Sequence, residues 1–79
     1  MPIYYFNVMS ASDIVMDFEG TDLPDIATAR TEAIEDGREL MSNAVLEGRD
    51  IASRRIEICD EAGDVLLTVA FSEAIRQFD

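Results

Sequence analysis

Few side chains in this sequence are equipped for chemistry. The 79 residues include no histidine and no lysine, one cysteine (Cys59), two tyrosines, and seventeen acidic groups against six arginines. A Ser-His or Cys-His pair is therefore ruled out, and there is no Lys or His to lower the pKa of Cys59. A structural zinc site wants four Cys or His ligands, which the chain lacks. Asp17-Phe18-Glu19-Gly20-Thr21-Asp22 gathers three carboxylates around a glycine, yet it departs from the calcium-loop pattern and reads as a solvated loop. Neither a Gly-x-Gly-x-x-Gly nor a P-loop pattern is present. No catalytic, cofactor-binding or metal-ligating residue is assigned on these grounds.

Two charge groupings remain. Glu32, Glu35 and Glu39 recur at steps of three and four, which places them on one face of a helix. They read as a water-facing stripe, with docking of a basic partner as the functional alternative. Arg49, Arg54 and Arg55 form the one positive grouping and follow the end of that helix, where cations offset the negative dipole end. The net charge of −11 and pI near 4.1 repel phosphate backbones and anionic membrane surfaces alike, so neither nucleic acid nor membrane is an expected partner.

The elements that must position these groups follow from periodicity. Ile3 to Val8 is aromatic and β-branched and reads as a strand, with Tyr4, Phe6 and Val8 on one face and Ile3, Tyr5 and Asn7 on the other. After a turn at residues 10–13, Ile14, Met16 and Phe18 alternate with Val15, Asp17 and Glu19 as a second, half-exposed strand ending at Gly20. Apolar residues then recur at helical spacing from Ile26 to about Glu47, with Asp25 as N-cap and Gly48 just past the C-terminus. Gly37 sits on the apolar stripe and is expected to let the helix approach an aromatic such as Tyr4 or Phe6. Arg55 to Asp60 and Asp64 to Phe71 read as a hairpin about Asp60-Glu61-Ala62-Gly63, and Ser72 is placed to cap a short closing helix carrying Ile75 and Phe78. The fold class is α+β, in the order β-β-α-β-β: a four-stranded antiparallel sheet with one long helix on one face and a short C-terminal helix, all in a single domain over 1–79.

The opening Met-Pro-x-Tyr-Tyr-Phe, the stretches Glu19-Gly20-Thr21-x-Leu23-Pro24-Asp25 and Ala29-Arg30-x-Glu32-Ala33, and Gly48-Arg49-Asp50 resemble an uncharacterised family of short acidic alphaproteobacterial proteins, a domain of unknown function. So do Arg55-Ile56-Glu57-Ile58-x-Asp60-Glu61-x-Gly63 and Val65-Leu66-Leu67-Thr68-Val69-x-Phe71-Ser72, although Ala70 stands where that pattern commonly has proline. The resemblance covers nearly the whole chain and implies one domain. It brings no activity, substrate or site residue.

One helix covers one face of a sheet, yet the first and last strands carry apolar groups on both. Ile3, Tyr5, Leu66 and Ala70 are therefore the expected interface with a partner, most simply a second copy of the chain, and the tail with Ile75 and Phe78 is expected to cover part of the same face. A non-enzymatic, self-associating interaction or regulatory module follows as the expected function. An acidic decoy or antitoxin-like protein that neutralises a basic partner is the alternative, and a small acid–base enzyme using tyrosine and carboxylates is the alternative of another class. The lone cysteine and an N-terminal stretch without a secretory pattern lead to an expected cytoplasmic location.

Overall fold

The structure is a computed structural model, described over residues 1–75. The described residues form seven elements: β1 (Ile3–Met9), β2 (Ile14–Val15), β3 (Thr21–Asp22), α1 (Ile26–Leu46), β4 (Arg55–Cys59), β5 (Val65–Ala70) and α2 (Phe71–Ala74). The class is α+β, an antiparallel sheet in the order β2-β1-β4-β5, with β3 also paired to β1.

α1 starts and stops where local chemistry dictates. The Asp25 carboxylate accepts the Thr28 backbone N–H at 2.8 Å and the Thr28 hydroxyl at 2.7 Å, which satisfies a free N–H of the first turn. At the other end Gly48, at φ +79°, donates to the Val45 carbonyl, and Arg49 donates to the Ala44 carbonyl. This is a Schellman closure, and its left-handed position suits glycine. The buried face of α1 is made of Ala29, Ala33, Gly37, Met41 and Ala44, so small side chains let the helix lie close over the sheet.

The core lies between α1 and one sheet face, where Tyr4, Ile56, Ile58 and Val69 are buried and Phe6, Val8 and Leu67 pack beside them. The register aligns Phe6 with Ile58 and Leu67, and Val8 with Ile56 and Val69, so one continuous apolar face is formed. The Asp60 carboxylate holds the β4–β5 hairpin by accepting the N–H groups of Ala62 and Asp64, each at 2.9 Å.

The structure corrects several expectations. The second strand is not continuous: β2 and β3 pair with opposite ends of β1, and between these pairings five residues (16–20) face only three (5–7) on β1. The surplus loops outward, which carries Phe18 to 85% exposure. The sheet therefore has five strands rather than four. α2 begins at Phe71 with Ala70 at its N-cap, not at Ser72, because the Glu73 carboxylate reaches back to the Ala70 N–H at 3.2 Å. Finally, α2 packs on α1 and not on the second sheet face. A Cβ at Gly37 would stand 3.7 Å from both Ala74 and Phe71, so the aromatic that uses the gap is Phe71 rather than Tyr4 or Phe6. Ile75 is exposed on the α1 side, and Phe78 lies outside the described residues.

Candidate functional site

On the sheet face away from α1, strand alternation places Ile3, Tyr5, Asn7 and Met9 beside Arg55, Glu57 and Cys59, and these beside Thr68 and Ala70. A bulge opposite Ile58 and Cys59 adds Leu66 to this face, by alternation with Thr68, together with Val65. The four expected interface residues thus share a face, but not equally. The loop at 16–20 folds over the β1 end, where a Cβ at Gly20 would fall 2.5 Å from Ile3 Cγ2 and 3.0 Å from Tyr5 Cε2. Ile3 and Tyr5 are half-buried beneath it, Ala70 is half-buried, and Leu66 remains 46% exposed.

The loop is fastened by two polar side chains. The Asp17 carboxylate accepts backbone N–H groups from Phe6 at 3.2 Å, Glu19 at 3.1 Å and Gly20 at 3.2 Å. In return the Asp17 N–H donates to the buried Asn7 side-chain carbonyl at 2.9 Å, and the Asn7 amide donates to Cys59 Sγ at 3.6 Å. Partial burial pushes the Asp17 carboxyl up, but the N–H donors of Gly20, Phe6 and Glu19 together outweigh it and hold the group below its ordinary value. Asp17 is thus spent on its own loop. Burial, followed by the Glu57 charge, raises the Cys59 thiol, against a smaller lowering from Asn7. A buried thiol shifted this way carries little thiolate and serves packing.

The acidic residues of α1 form the other candidate. Glu32 is half-buried, and Glu35 and Glu39 are exposed. Asp36, beside them, was not singled out by the three-and-four spacing, although the helical positions 32, 36, 39 and 40 share a flank. It is half-buried, and its carboxyl is raised first by burial and then by Glu32, Glu39, Glu35 and Asp17. Asp36 and Glu39 border a groove of about 280 Å³ lined by Phe6, Val8, Leu40, Asn43 and Ile56. The three expected arginines do not converge: Arg49 pairs with Glu47, Arg55 lies 3.8 Å from Glu57, and Arg54 is half-buried beside Val8 and Asp13.

Among the described residues, no three His, Cys, Asp or Glu side chains gather as they would to hold a metal ion, and no helix is long and apolar enough to cross a membrane. Two surfaces among the described residues are suited to binding: the sheet face with its β5 edge and the acid-bordered groove. A family model for a domain of unknown function, DUF6894, matches residues 3–72. The chain belongs to the DUF6894 family. The DUF6894 match runs from the start of β1 into the first turn of α2 and so includes both surfaces. No curated protein and no solved structure matches the chain.

Proposed function

We propose that this DUF6894 protein is a non-enzymatic interaction module that self-associates through β5. The observation that carries the reading is the β5 edge: among the described residues no strand lies beyond it, its six residues bear no charge, and Val65 and Leu66 are 52% and 46% exposed. Apart from the Ala70 N–H, which the Glu73 carboxylate accepts, such an edge presents unpaired N–H and C=O groups, and the strand itself has no lysine, proline or inward charge to deter pairing. A second copy brought up antiparallel about a two-fold axis continues the sheet and covers Leu66 and Ala70 at once. Tyr5 and Ile3 fall outside this interface, because the 16–20 loop already covers them. A regulatory role, a cytoplasmic location and an alphaproteobacterial source belong to the same reading, supported by the family resemblance, the acidic charge and the lone cysteine.

Light scattering on a sizing column, at tens of micromolar protein, tests it. The expected result is about twice the 8.8 kDa chain mass, with Leu66→Glu shifting the species to monomer by setting an unpaired charge in the interface. A monomeric parent, or a Leu66→Glu variant that stays dimeric, would refute the reading.

A further inference from the structure

The two flanks of α1 differ in charge, and the difference has a structural origin. Its arginines face α2: Arg30 lies 3.7 Å from the Glu73 carboxylate, and Arg38 Nε–H donates to the Ala74 carbonyl at 2.6 Å. The flank turned toward β1 and β2 carries Glu32, Asp36 and Glu39, and none of these acids has a cation within 4.0 Å among the described residues. Immediately below it runs the groove floored by Phe6, Val8 and Ile56 and walled by Leu40. Val15, the ladder partner of Val8 and so on the same sheet face, extends the apolar strip at 59% exposure. Apolar floor and anionic rim therefore occupy a single strip of surface.

We propose that this groove docks a cationic amphipathic segment of a partner protein, with an apolar side chain seated over Phe6, Val8 and Leu40 and Lys or Arg side chains against Asp36 and Glu39. Charge complementarity selects the occupant: an apolar segment without cations leaves the rim acids unpaired as it removes water from them, whereas a cation on the flanking turn meets them. A second copy of this chain fits poorly. It has no lysine, and of its described arginines Arg30, Arg38, Arg49 and Arg55 already meet acceptors while Arg54 is half-buried beside Val8 and Asp13. The like charges that press on Asp36 would be relieved by the incoming cation. The groove lies at the β1–β2 side of the sheet, across from the β5 edge, so this docking goes beyond self-association and does not depend on it.

The probe is a short amphipathic Leu/Lys peptide, with a Leu/Glu peptide of the same pattern as counterpart, titrated into nitrogen-15-labelled protein at about 150 mM salt. The Leu/Lys peptide is expected to move the amide signals of Phe6, Val8, Asp36 and Leu40, and the Leu/Glu peptide to leave them in place. Asp36→Asn combined with Glu39→Gln should weaken binding about tenfold, while Glu61→Gln with Asp64→Asn, which removes the same charge at the β4–β5 turn, should cost about twofold at most. Leu40→Ser, which leaves the charge intact, should weaken binding about fivefold. The proposal is overturned if the Leu/Lys peptide does not bind, if the turn variant loses as much as the groove variant, or if Leu40→Ser changes nothing, since charge alone would then account for the binding. Repeating the titration on Leu66→Glu separates this outcome from the oligomer result, because groove binding should persist in a monomer.

Discussion

Gly20→Ala should be among the most damaging single-methyl changes in this protein, and its cost divides into two parts. The backbone at Gly20 has φ +73°, where an L-residue's Cβ crowds the following carbonyl at about 1–2 kcal/mol. The new Cβ would also stand 2.5 Å from Ile3 Cγ2 and 3.0 and 3.1 Å from two Tyr5 ring atoms, so the loop or β1 must yield, at about 1–3 kcal/mol as in other overpacked sites. Together these come to about 2–5 kcal/mol, a large share of the roughly 4–12 kcal/mol available to a domain of this size. Gly48→Ala supplies the control, because φ is +79° there and nothing lies within 4 Å of the added Cβ. It should lose only the backbone part. Urea unfolding followed by far-ultraviolet circular dichroism and tyrosine emission would give both values, provided the denaturant slopes agree. Ile3→Ala in the Gly20→Ala background should recover part of the loss, a coupling that a double-mutant cycle isolates. Equal costs at Gly20 and Gly48 would refute the reasoning, since the 16–20 loop would then not press on Ile3 and Tyr5.

At Gly37, alanine fits at 3.7 Å from Phe71 and Ala74 and should stabilise by up to about 1 kcal/mol through helix propensity, whereas leucine should cost about 1–3 kcal/mol by driving α2 away; chemical denaturation distinguishes the two. Asp36→Asn should stabilise the fold at pH 7. The Asp36 carboxyl is raised in the folded state, so its protonated form favours folding; that contribution is fully present below the unfolded-state pKa and is lost as pH rises through the folded one, and unfolding midpoints of parent and variant should therefore converge in acid. Added salt should raise the urea midpoint, because a net charge of −11 repels itself over distances screened within about 8–10 Å at physiological strength; a midpoint that stays fixed would mean the acids are already compensated.

The parts of the fold that could be read from the sequence are those set by neighbouring residues. Asp25, Gly48 and the recurring alanines define α1 within one turn, and Asp60 to Asp64 define the hairpin, because each signal acts over four residues or fewer. The edge beside β1 was legible only in outline. The alternation of Ile14, Met16 and Phe18 has the period of a strand, but Asp17 bonds to Phe6, eleven residues away, and exchanges the regular ladder for a side-chain clasp. Nothing in a period-2 pattern encodes that exchange. The docking of α2 likewise depends on the missing side chain of Gly37 lying opposite Phe71, a pairing across the fold. As for the candidate surfaces, Leu66 and the acidic helix flank were visible in the sequence. Asp36 could have been found by extending the flank from Glu32 by four residues. The covering of Ile3 and Tyr5 could not, since it follows from the clasp.

The pairing of β1 with β4 bears on the order in which the molecule assembles. Tyr5 meets Cys59 and Met9 meets Arg55, so about fifty residues of chain must be closed into a loop before the central ladder exists, and loop closure of that length is an entropic cost borne before any contact repays it. As the chain leaves the ribosome, β1 has only the two-residue strands β2 and β3 to pair with until β4 emerges behind α1. Through that interval the aromatic face of Tyr4 and Phe6 has no core to enter. β5 and α2 follow within a few residues of β4, so the sheet, the helix pair and the core should form together in one late step rather than by successive addition from the N-terminus.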